Sequence, residues 1–153
     1  MLLLFSEDIM QINKKDINII ITYLKIDEEI GKRIRSNNIS RCARYFNSTQ
    51  TKRHIANLLA QSSLTEKPCT CASLSKKTGY SKTAVFKIIN EAVDAGYVDE
   101  TYLKKQRFLS ASTEMLDAVF EYAQFRHSLW KTYYPLEVAN STQSKLSLLS
   151  KVS

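Results

Sequence analysis

A single glycine between two short apolar-periodic stretches constrains this chain more than any other feature. Gly79 separates residues 72–78, which read as a short helix, from residues 82–95, which read as a longer one, and the 153-residue chain holds only 3 glycines in all. Two helices that turn a steep corner need a residue there that permits close approach or a positive φ. Leu74 before the glycine, and Val85 and Ile88 after it, are spaced to meet inside the corner. Ser75 is small where the second helix comes close, and Ile89 and Ala92 extend the buried stripe. Ser81 is a good N-cap, and Gly96 is a good stop. Cys69-Thr70-Cys71 reads as a short strand ahead of this pair. Tyr97-Val98 starts another strand, Lys104-Lys105-Gln106 lies at a tight reversal, and Arg107-Phe108-Leu109 returns. The order is helix, turn, helix, hairpin.

The face of the second helix opposite Val85 and Ile88 carries Ser81, Lys82, Thr83, Phe86, Lys87 and Asn90, with no carboxylate before Glu91. A helix that enters the major groove of DNA needs cations and hydrogen-bond donors in its N-terminal half and no repelling charge. Its free N-terminal N–H groups also suit a phosphate. Phe86 has two readings, packing on a thymine methyl or covering the corner of the core. Lys104 and Lys105 at the hairpin tip, with Arg107 beside them, are placed to reach a neighbouring backbone. The chain's formal net charge of +7 favours an anionic partner without choosing among nucleic acid, membrane and acidic protein.

Residues 69–98 resemble the DNA-reading half of winged-helix regulators of the multiple-antibiotic-resistance (MarR) type. The likeness lies in Leu74 of the supporting helix, Gly79 at the turn, the Ser81-Lys82-Thr83 opening of the reading helix, and the exit Ala92-Val93-Asp94-Ala95-Gly96-Tyr97-Val98. It extends to Leu109-Ser110 followed by a long amphipathic helix, and covers roughly a third to a half of the chain. The chain departs from these regulators in a short wing without an Asp-x-Arg tip, and its first sixty or so residues share only helical character with them. The resemblance implies a mainly α winged helix-turn-helix with a small β-hairpin wing, reading double-stranded DNA as a homodimer and regulating transcription.

Around the reader, residues 1–65 are expected to be helical and to supply dimerisation and a basic flank, 66–111 to form the reader, and 112–153 a long helix and tail, all in one compact domain. Ile17, Ile20, Ile21, Leu24, Ile30 and Ile34 approximate a helical stripe, although Ile19 and Ile26 also invite a strand. Ile39, Cys42, Ala43 and Phe46 mark a second helix, and Asn47-Ser48-Thr49 a break and N-cap. Ile55, Leu58 and Leu59 mark a third helix ending near Gln61, before the linker Glu66-Lys67-Pro68. Met115, Leu116, Val119, Phe120, Ala123, Leu129, Trp130 and Tyr133 fall on one broad face of the last helix, which Pro135 ends or kinks. Leu146, Leu148 and Leu149 lie in a polar, Ser-rich tail that reads as a short helix or a frayed end.

No acidic residue occurs from Lys32 to Arg53, where Lys32, Arg33, Arg35, Arg41, Arg44, Lys52 and Arg53 form either a solvated face or a phosphate-gripping flank. Tyr122, Trp130, Tyr133 and Tyr134 are compatible with a small-molecule effector pocket but are more often core or interface. Cys69 and Cys71 read as two small buried hydrophobes, with a redox switch as the alternative, and no metal ligand spacing appears among Cys42, His54 and His127. No catalytic constellation, phosphate-binding loop or cofactor motif is visible, so neither an enzyme nor a cofactor is expected. The apolar run Met1-Leu2-Leu3-Leu4-Phe5 is too short for a signal peptide or membrane span, which reads as cytoplasmic with no membrane partner. Two alternatives accompany the regulator: a winged-helix protein-interaction or assembly module without specific DNA binding, and non-specific nucleic-acid binding through the basic flank. An acid-free reading face is needed by the first of these three functions and not by the second.

Overall fold

The computed structural model describes residues 14–134. The expectations for the N-terminal apolar run, Pro135 and the polar tail lie outside the described residues. Among the described residues, six helices and one hairpin follow in order: α1 (Lys14–Arg35), α2 (Arg41–Asn47), α3 (Gln50–Leu64), α4 (Cys71–Thr78), α5 (Lys82–Asp94), β1 (Val98–Leu103), β2 (Gln106–Ala111) and α6 (Thr113–Tyr133). They divide between two compact units, one of residues 36–123 and one that holds residues 14–35 and 124–134.

In the first unit, each helix starts where a side chain can take up an orphan backbone N–H. Ser40 accepts from Ala43 N, Thr49 from Lys52 N, and Ser81 from Ala84 N. Thr70 and Ser73 form a reciprocal capping box, and this changes the reading of residues 69–71. The strand expected there is absent. Thr70 caps α4 instead, Cys71 is the first helical residue, and one hydrogen bond from Leu109 N to Cys69 O (2.8 Å) is what remains of strand-like pairing. α3 runs one turn past the expected Gln61, to Leu64, where the Thr65 N–H reaches Gln61 O and its hydroxyl donates to the same carbonyl.

Gly79 closes α4 at φ 77°, and its N–H reaches Ser75 O. A Cβ there would meet nothing within 4 Å, so the left-handed backbone, and not a close approach, is what calls for glycine. The corner is further tied by Ser75 Oγ donating to Tyr80 O at 2.7 Å. Leu74, Val85, Ile88, Ile89 and Ala92 join Cys42, Phe46, Ile55, Leu59, Val98, Leu109 and Met115 in a single apolar core. β1 and β2 pair antiparallel from Val98↔Ala111 to Leu103↔Gln106, leaving a two-residue turn of Lys104 and Lys105. On α6, Met115 is buried and Leu116 and Val119 pack against the core, whereas Phe120 and Ala123 are exposed, so the broad face expected there is only partly covered.

In the second unit, α1 buries Thr22 and Ile26, one turn apart. Tyr23 meets Trp130 edge-on at 5.1 Å, and the Arg33 guanidinium lies 4.7 Å from the Phe125 ring centroid. Ile26, whose β-branching invites a strand, is a helical core residue; packing overrides propensity. The stripe of Ile17, Ile20, Ile21 and Leu24 is helical but not buried, with each residue 43–62% exposed.

Candidate nucleic-acid interface

The outward face of α5 is built from its own N-terminus upward. Ser81 is spent on the cap, which starts the helix and leaves Lys82 and Thr83 exposed in its first turn. One turn on, Phe86 and Lys87 are exposed, and Lys82, Thr83, Phe86 and Lys87 together line an open depression. Phe86 therefore does not cover the core corner; it is 52% exposed. Neither lysine pairs with a carboxylate among the described residues.

The first acid on the helix, Glu91, is held from behind. Tyr45 Oη donates to Glu91 Oε2 at 2.8 Å, and Lys52 Nζ approaches the same oxygen at 4.0 Å while lying 4.0 Å from the Tyr45 ring centroid. Burial, followed by the Glu91 carboxylate, pushes the Tyr45 phenol pKa upward, so the bridging proton stays in place. Sequence spacing gave no hint of this cluster, because Tyr45 is far from Glu91 along the chain.

Asn90 and Arg107 sit differently from the lysines. Arg107 Nη1 donates to Asn90 Oδ1 at 2.8 Å, and its Nε donates to Glu100 Oε2 at 2.7 Å. Glu100 was not singled out from the sequence, although a two-residue turn at 104–105 places it diagonally across the hairpin from Arg107.

Lys104 and Lys105 are exposed at the turn, with φ 48° and 65°. Two consecutive left-handed residues make the type I′ geometry that matches strand twist, where Asn-Gly is the favoured pair. Lysines pay there in backbone strain. Replacing them by Asn and Gly is expected to raise stability by about 1–2 kcal/mol, read by urea unfolding. If the two lysines contact the phosphates of a nucleic acid, the same change weakens that binding across sequences and lowers the salt slope by up to about two. A loss confined to one sequence would argue for base reading by the tip.

Several residues of the basic run from Lys32 to Arg53 have partners within their own unit. Lys32 pairs with Glu28 and Glu29 at 3.3 and 2.8 Å, Arg33 lies on Phe125, Arg53 Nε donates to Asn47 Oδ1, and Lys52 serves Glu91. Trp130 packs on Tyr23 and Tyr134, so part of the aromatic set is occupied by itself. The three cysteines are free, and burial raises all three thiol pKa values, that of Cys42 to about 12, which disfavours the reactive thiolate. Among the described residues, no group of His, Cys, Asp and Glu is arranged to hold a metal, and no helix is long and apolar enough to cross a membrane.

This fold has counterparts among solved structures. MepR, a transcription regulator of the Staphylococcus aureus multidrug efflux pump MepA, aligns at a TM-score of 0.60 with 10% identity, over 88% of this chain and 96% of its own. The transcriptional regulator Tm0710 of Thermotoga maritima aligns at 0.53 with 18% identity, over 85% and 92%. RV1404 of Mycobacterium tuberculosis aligns at 0.57 with 14% identity, over 86% and 91%. The chain has the winged-helix fold of MarR-type regulators. No protein-family model and no curated protein matches it. In the terms of that fold, α4 is the supporting helix, α5 the recognition helix, and β1–β2 the wing.

Proposed function

We propose that the protein is a sequence-specific DNA-binding transcriptional regulator, acting as a homodimer with the recognition helix in the major groove. The observation that carries this reading is the face of α5. Lys82, Thr83, Phe86 and Lys87 are exposed together, and the nearest carboxylate on the helix, Glu91, is hydrogen-bonded by Tyr45 with Lys52 beside it. Lys82, Thr83 and Lys87 face base edges and phosphates, Phe86 offers an apolar surface to a thymine methyl, and the Ser81-capped terminus lies against the backbone. Lys104 and Lys105 reach flanking phosphates from the wing. Their strained backbone supports that role, since strain retained at an exposed turn points to function.

The test is a salt titration of binding to a duplex selected from a random library and to its scrambled form. A regulator binds the selected duplex about 10³-fold or more tightly than the scrambled one at physiological salt. Equal affinities with a steep salt slope would indicate non-specific nucleic-acid binding, and no binding would favour a protein-interaction module.

The dimer is assigned to α1 and the C-terminal part of α6. A two-fold operator needs two readers, and Ile17, Ile20, Ile21 and Leu24 present an uncovered apolar face on the unit that does not hold the recognition helix. Sedimentation is expected to give a dimer at micromolar concentration, and Leu24→Glu a monomer. A wild-type monomer would sink the assignment. Trp130→Ala removes the ring against which Tyr23 packs, and is expected to loosen the same unit, affecting DNA binding only through that loss.

A further inference from the structure

Building on the DNA-reading assignment above, we infer that Arg107 is a positioning residue that locks the wing to the recognition helix instead of contacting DNA itself. The side chain leaves β2 and reaches both β1 and α5. Its Nε donates to Glu100 Oε2 at 2.7 Å, its Nη1 donates to Asn90 Oδ1 at 2.8 Å, and its Cζ lies 5.6 Å from the centroid of the Phe86 ring. Only 16% of the side chain is exposed. A planar guanidinium serves two diverging acceptors through separate nitrogens, Nε and Nη1, while lying over a ring, whereas a lysine here would have one nitrogen to divide between them.

The wing needs such a tie. Past Val98 every residue of β1 is exposed, and a two-stranded hairpin is marginally stable alone. Its base is fastened by Leu109 N to Cys69 O, Ala111 N to Ser63 Oγ and Ser112 N to Tyr97 O. Beyond that base, the hydrogen bonds joining wing to recognition helix among the described residues pass through Arg107. The lock therefore sets where Lys104 and Lys105 stand relative to Lys82 and Lys87. Prior ordering of the two contact regions spares an entropy loss on binding. Because Arg107 also lies over Phe86, it fixes that ring at the edge of the reading depression.

The test uses the full-length chain with Arg107→Lys, Arg107→Ala and Glu100→Ala, each checked for folding by circular dichroism. In the free protein, amide hydrogen exchange over residues 99–108 is expected to rise about five-fold or more in Arg107→Lys, with the amides of the α5 core unchanged. On the duplex that the wild type binds best, Arg107→Lys and Glu100→Ala are each expected to weaken binding about ten-fold with the salt slope preserved. A direct phosphate contact gives the opposite pattern: Arg107→Lys binds like wild type, Glu100→Ala binds more tightly, and Arg107→Ala lowers the salt slope by about one. That pattern, or unchanged wing exchange in Arg107→Lys, overturns the lock. If the wild type binds no duplex, the functional assignment fails on its own, and the exchange measurement alone decides the lock.

Discussion

Replacing Lys82 and Lys87 together by alanine is expected to weaken binding to the best-bound duplex by about 100-fold, on the order of 1.4 kcal/mol for each side chain. Both side chains are exposed, and neither has a carboxylate partner among the described residues. Removing them breaks nothing within the protein, so stability is expected to stay within about 0.5 kcal/mol of wild type. The measurement is fluorescence anisotropy at fixed salt, paired with a urea unfolding curve. Binding that survives the double substitution unchanged would remove α5 from the interface, whatever the fold. The single variants separate two kinds of contact. A phosphate contact lowers affinity for every duplex and reduces the salt slope, whereas a base contact lowers affinity for the selected duplex and relaxes specificity at one position.

The reader was legible in the sequence because its determinants are local. Ser81 as cap, Gly79 and Gly96 as left-handed stops, and the spacing of Leu74, Val85, Ile88 and Ile89 are all short-range signals, and all appear in the fold. The same reasoning misjudged Cys69-Thr70-Cys71, because a threonine that is equally at home in a strand was needed as a cap. What the sequence hid was contact between elements. Nothing in the spacing of Tyr45, Lys52 and Glu91 announces that they meet, and their meeting gives the first acid of α5 partners within the protein. Arg107 carried a signal that was read only in part. Its charge suggested DNA, but the register set by the two-residue turn, shorter than the reversal read over Lys104-Lys105-Gln106, puts Glu100 diagonally across from it as an internal partner. The α1 stripe was legible as a helix, yet pattern alone could not say that it stays exposed among the described residues.

The opposite face of α5 is expected to respond in the opposite way. Ile89 is fully buried, three residues after the exposed Phe86, in the core shared with Leu74, Leu59 and Leu109. Ile89→Ala removes three carbons from a close-packed site, and is expected to cost about 3 kcal/mol, within the 2–5 kcal/mol usual for such truncations. Urea unfolding should show the loss as a lower midpoint with an unchanged slope. The thermal midpoint should fall by on the order of 10 °C. DNA affinity measured well below that midpoint should change little, because the truncated side chain touches neither Lys82 nor the wing lysines and the folded fraction is still dominant. Lys82 and Lys87 on one side and Ile89 on the other thus divide one helix into a face that holds the fold and a face free to bind. An Ile89→Ala protein of wild-type stability would mean that α5 is not seated in this core. The helix-turn-helix geometry, and with it the placement of the lysines, would then have to be abandoned.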